Sequence, residues 1–195
     1  MDGDRGHQAQ LTELKLDIHS DAPVWTPPRE DLWRRIAQHD FEPETPLNFT
    51  RRLARDHRWS LAHTRAAIEA YRRFCFLCVV SPTPVTPSDV VDEVWHQHLT
   101  YSRDYWTIWC GERLRAPLHH DPTPGGPEAQ MIYRRQYAET LALHERCFGP
   151  PSPELWPATH LRFGPQRYHV LDRTRWLVMR SPAAWIRPLL ARLTR

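Results

Sequence analysis

Proline set directly behind threonine or serine constrains this chain more than any other feature. Its 195 residues hold nineteen prolines against seven glycines. Proline lacks an N–H and fixes φ, so it fits a first helical turn, where that N–H would be unpaired, and turns the residue before it away from helix. Thr26-Pro27-Pro28, Thr45-Pro46 and Thr86-Pro87-Ser88-Asp89 therefore read as helix starts, and Ser81-Pro82-Thr83-Pro84 as a helix end. Between these marks the apolar residues recur at helical spacing. A first helix is predicted from there through Leu32, Trp33 and Ile36 to about Gln38, and a second from Thr45 carrying Leu47, Phe49 and Leu53. A third is capped by Ser60 and runs through Ile68, Tyr71, Cys75 and Cys78; a fourth, with Thr86 as N-cap, can continue through Trp109 to about Gly111. A fifth opens near Pro127 and ends at Gly149-Pro150-Pro151, with Ile132, Tyr133, Tyr137 and Leu141 as its buried seam. Leu11 to Ile18 alternates apolar and polar residues, which suits a short strand or extended arm.

The expected fold is all-α, a bundle-like packing of four or five main helices with a basic C-terminal appendage. Residues 1–25 form an N-terminal arm, 26–160 the helical domain and 161–195 the tail. Trp33, Trp59, Tyr71 and Trp156 are expected in the core. The longest uninterrupted apolar run, Phe74 to Val80, has seven residues, far short of the roughly 18 that cross a bilayer. No apolar stretch follows the first ten residues as a secretory leader would require, so the four cysteines read as reduced thiols of a cytoplasmic protein. Charge is divided unevenly. From Leu161 to Arg195 eight arginines face Asp172 alone, a net +7, and the preceding residues carry −4. Interleaved with Trp176, Trp185, Leu189 and Leu190, that tail suits an ordinary docked helix, an acidic protein partner or weak contact with an anionic membrane surface. No nucleic-acid motif accompanies the charge, so nucleic acid is not an expected partner.

Chemistry concentrates in two stretches. Val91-Asp92-Glu93-Val94-Trp95-His96-Gln97-His98 lies on the fourth helix, and Leu118-His119-His120-Asp121-Pro122-Thr123-Pro124-Gly125-Gly126 follows it. At about 100° per residue, Asp92 and His96 share one stripe, one turn apart. His98 lies about 200° from His96, on the face of Val91, Val94, Tyr101, Tyr105 and Trp109, so one straight helix cannot aim both histidines at a single ion. His98 is expected to be buried and in need of a hydrogen-bond partner. Asp92, His96 and His119 make a two-imidazole, one-carboxylate set with open positions, suited to one Zn or Fe ion. His98 and His120 are then alternates or proton-transfer groups, and Asp121 a group that orients a ligand. Such a set permits metal-dependent hydrolysis or oxidation of a small molecule. The competing expectation is a non-catalytic module, docking a protein or membrane, in which the histidines are a structural knot.

These residues resemble the bacterial branch of the glycine-rich domain-containing protein-like family, in the patterns V-D-x-x-W-H-x-H-L and P-L-H-H-x-P-T-x-G-G. Tyr71-Arg72-Arg73-Phe74, Phe148-Gly149 and Leu155-Trp156-Pro157 extend the resemblance over about Phe49 to Pro157. The glycine-rich tail of the plant relatives has no counterpart here, and the family has no established reaction, so the resemblance implies only that these motifs belong together.

Other signals are weaker. Cys75-x-x-Cys78 has zinc-like spacing but sits in an apolar helical run with no second pair, so its thiols read as small hydrophobes; Cys110 also reads as packing. No P-loop, Gly-x-Ser-x-Gly or His-Glu-x-x-His motif occurs, and His144-Glu145 meets Phe148 where a second histidine would be needed.

Overall fold

The computed structural model describes residues 8–9, 11–16, 22–42 and 45–164, and this part of the chain is all-α, with no strand among the described residues. Helix α1 spans Pro27–Ala37, α2 Phe49–His57, α3 Leu61–Val80 and α4 Asp89–Thr100. A π-helix over Asp104–Leu114 follows, then α5 over Gly126–Phe148 and the single turn α6 over Thr159–Arg162.

Helix α3 is the hub. It packs against α1, α2, α4, α5 and the π-helix. Its sequence explains why: Phe74, Cys75, Phe76 and Leu77 are consecutive and all fully buried, so the helix is apolar on every side there and needs neighbours all round. Ser60 caps its start by accepting the N–H of His63 at 3.1 Å, and Ser81, extended at ψ 134° ahead of Pro82, ends it. Burial pushes the Cys75 and Cys78 thiols well up and raises that of Cys110, so these cysteines are apolar packing as expected; Cys147, also buried, is pushed up to about 11.

Several boundaries differ from the sequence reading, each for a local reason. Helix α2 begins at Phe49, not Thr45, because the Asn48 side chain accepts the Arg51 N–H at 3.0 Å and takes the cap. The cap of α4 is Ser88, whose Oγ accepts the Val91 N–H at 3.2 Å. Thr86 is otherwise engaged: its N–H donates to Thr140 Oγ1 at 3.0 Å and its hydroxyl to Gln136 Oε1 at 3.1 Å, which ties the turn to α5. Residues 11–14 are helical, not a strand. Arg29 collects the Leu14 and Lys15 carbonyls at 3.1 and 2.7 Å, and the Leu16 N–H donates to Val80 at 2.7 Å, which docks Leu14 and Leu16 in the core. Ile18 lies outside the described residues. On α5, Tyr137 is buried as expected and Tyr133 and Leu141 are half-buried, but Ile132 is exposed; the fully buried seam runs through Ala129, Tyr137, Thr140, Leu143, His144 and Cys147. Tyr71 and Trp156 are buried as expected, whereas Trp33 and Trp59 lie half-buried at the core's edge. The basic tail lies outside the described residues beyond 164. No described helix is long and apolar enough to cross a membrane.

The largest departure follows α4. The fourth helix does not run straight on to Gly111: Tyr101 leaves helical geometry at φ −90°, ψ 53°, and the chain resumes as the wider π-helix from Asp104. Tyr105, Trp109, Cys110 and Leu114 still reach the core, but Asp104 is carried to a place that a continuous α-helix would not give it.

Candidate metal centres

Helix α4 places chemistry on two sides. On its outer side Asp92 and His96 are one turn apart, with His96 Nε2 3.9 Å from Asp92 Oδ2. The loop after the π-helix returns and brings His120 Nε2 to 3.0 Å from Asp92 Oδ1, with the His96 and His120 rings 4.6 Å apart. One candidate ligand atom from each of Asp92, His96 and His120 lies within 4.8 Å of the other two, so the three can hold a metal ion. Side-chain exposures of 29% for Asp92, 51% for His96 and 20% for His120 leave this cluster open to solvent. Glu93 stands at its rim, Oε2 3.8 Å from His96 Nδ1 and 3.7 Å from His57 Nε2.

What holds the loop in place is the tryptophan of the motif. Trp95 Nε1 donates to Tyr105 Oη at 2.8 Å, and the Tyr105 hydroxyl donates to the Leu118 carbonyl. The Trp95 ring also packs edge-on to His120 at 4.4 Å. Burial pushes the Tyr105 phenol well above its usual range, so it keeps the proton it donates.

The loop histidine that meets Asp92 and His96 is therefore His120, not His119. Neighbouring side chains diverge in this non-helical stretch: Trp95 takes the His120 ring, whereas His119 is exposed with its ring 5.4 Å from that of Trp106. Asp121 is exposed and stands outside the cluster.

On the inner side of α4, His98 is buried as its helical position predicts, and both of its ring nitrogens have partners. Its Nε2 lies 2.8 Å from Asp104 Oδ2 and its Nδ1 3.0 Å from Tyr71 Oη. His39, just beyond α1, brings its own Nε2 to 3.1 Å from the same Asp104 oxygen. His39, His98 and Asp104 form the second group able to hold a metal. Phe41, Tyr105 and Trp109 wall it, with ring centroids 4.9, 5.0 and 5.5 Å from His98. Burial lowers the His98 pKa against the raising effect of Asp104, so this imidazole is neutral. Burial alone would push the Asp104 carboxyl up, but hydrogen bonds from His39 and His98 outweigh it and hold the group well below the usual carboxylate range.

His98 thus belongs to a different cluster from Asp92 and His96 and does not relay protons beside them. His39 and Asp104 were not found by sequence reasoning. The spacing of Asp104 from His98 matches no α-helical face, and His39 is distant in sequence; the one hint was that a buried His98 must find a partner.

Comparison of the chain with protein-family models, curated proteins and solved structures gives no match.

Proposed function

We propose that this chain is a metal-binding helical protein whose working centre is Asp92, His96 and His120, with Zn²⁺ as its ion. The observation that carries this reading is the state of His96. Its ring, half exposed, lies 3.9 Å from an Asp92 oxygen and 3.8 Å from a Glu93 oxygen, beyond hydrogen-bond reach of either, and beside the His120 imidazole. An imidazole held beside two carboxylates and a second imidazole suits an incoming cation. Asp92 and His96 supply ligands from a rigid helix, and His120 supplies a third from a loop fixed by Trp95 and Tyr105. Glu93 facing Nδ1 of His96 would orient the ring, the outer-shell role that carboxylates commonly play at metal-bound histidines. Three protein ligands with open positions are the pattern of catalytic zinc, and such an ion supplies a bound water of pKa about 7, which points to hydrolysis of a small-molecule substrate; iron in the same set would point to oxidation. In this reading the chain is a relative of the glycine-rich domain-containing protein-like proteins, which the resemblance of its two motifs supports.

Zinc titration of protein carrying no histidine tag, in competition with a chromophoric chelator, tests it. Asp92→Asn and His120→Ala are expected to weaken this site at least tenfold and His119→Ala to leave it unchanged. Equal binding by all three variants and the wild type would overturn the assignment.

A further inference from the structure

The buried cluster behind α4 has the donor set of a second centre. We propose that His39, His98 and Asp104 form an internal divalent-metal site, separate from the outer one, that takes Zn²⁺ and clamps the end of α1, helix α4 and the start of the π-helix together. It stands on residues that the outer site does not use, so either can hold without the other.

Convergence is the first argument. The Nε2 atoms of both histidines aim at one atom, Asp104 Oδ2, from 3.1 and 2.8 Å, and all three donors lie within 4.8 Å of one another. Ligand atoms about 2.0–2.1 Å from a tetrahedral zinc ion are about 3.3 Å apart, and the Asp104 oxygen stands where the two rings converge, so the ion enters as that carboxylate draws back by about 1 Å toward its exposed side. The second argument is the other ring nitrogen. Tyr71 Oη, 3.0 Å from His98 Nδ1 and fully buried, can accept an Nδ1–H and so leave the Nε2 lone pair facing the ion. This is the hydrogen-bond arrangement that metal-bound histidines show. The third is access. The side chains of His39 and His98 are 2% and 1% exposed, whereas Asp104 is 34% exposed, so the carboxylate side of the cluster reaches water. Local backbone agrees: the break at Tyr101 and the π-helix that follows bring Asp104 over His98, and wide π turns concentrate at functional sites.

Without an ion the same atoms make a closed knot, in which both histidines donate Nε2–H to Asp104 and Tyr71 donates to His98 Nδ1. The two readings differ in stoichiometry and in linkage to folding. The deciding protein is the double variant Asp92→Asn, His96→Ala, which alters only the outer cluster and leaves the inner one intact. Zinc titration should give about two equivalents for the wild type and about one for the double variant, and zinc should raise the melting temperature of that variant, because an ion bound only by the folded chain stabilises it. Adding Asp104→Asn should abolish the remaining equivalent, with helix content by circular dichroism as the check on folding. A double variant that binds no zinc overturns the inner site, whatever the wild type does. A wild type that binds one equivalent, kept in the double variant, supports the inner site and removes the outer one.

Discussion

Replacing Tyr105 by phenylalanine isolates the bridge on which the outer cluster depends. The hydroxyl accepts from Trp95 Nε1 at 2.8 Å and donates to the Leu118 carbonyl, and the ring is fully buried. Phenylalanine keeps the ring and its packing and removes one oxygen. Trp95 is 7% exposed, so its N–H is left without a partner, at a cost of about 1–3 kcal/mol. Leu118 is only half-buried, and water can take over its carbonyl. The expected loss is therefore about 2 kcal/mol, which for a chain of this length lowers the melting temperature by about 4–8 °C. The effect on the site is separate: with the Leu118 carbonyl released, His120 is no longer fixed against Asp92, and zinc affinity of the outer site should fall about 10–100-fold, the usual penalty for removing an outer-shell support. Urea unfolding without metal reads the first quantity, and a chelator-competition titration of folded protein reads the second. A variant that loses stability but binds zinc as the wild type does would refute the claim that this bridge positions His120. No change in either would refute the bridge itself.

Two further outcomes follow from features away from the clusters. Burial lowers the pKa of His144, so the folded chain keeps it neutral where the unfolded chain, at about 6.5, takes a proton. The unfolded state then binds more protons, and stability is lost as pH falls below about 6.5; buried His98 acts in the same direction, so His144→Gln should reduce the slope of urea stability against pH between about 6.5 and 5 without removing it, and an unchanged slope would refute the burial argument. For the tail, the net +7 of 161–195 predicts flotation with phosphatidylserine vesicles at low salt, reversed by high salt and lost on deleting 175–195; salt-insensitive absence of binding would dismiss membrane contact.

Helix existence was legible because proline and capping residues mark ends with backbone chemistry that acts locally. Ser60 and the Ser81-Pro82 stop behave as their sequence says. The exact starts were less so, because several residues near an end can cap and tertiary partners choose among them. Thr86 reads as the cap from sequence, but Thr140 and Gln136 on α5 hold it, and Ser88 caps the helix instead. The same limit explains Ile132: periodicity gives a helix an apolar stripe, but which part is covered depends on where α3 lies against it.

The divided site has a deeper cause. Two histidines spaced His-x-His on an α-helix point about 200° apart, so the motif serves two opposite surfaces by construction. Sequence alone could show that His96 and His98 do not share an ion, and it could nominate Asp92 for His96. It could not show what faces His98, because Asp104 arrives there only through a helix break whose signal is weak: no proline or glycine marks Tyr101-Ser102-Arg103. Nor could it choose between His119 and His120, since that choice rests on which ring Trp95 takes. Trp95 and Tyr105 stand between the two clusters, one touching His120 and the other His98, and they are hydrogen-bonded to each other. The residue that separates His96 from its apolar neighbours in the motif thus ties the outer loop to the wall of the inner cluster, which is why the Trp-His-x-His pattern and the Tyr105 position have to be read as one unit.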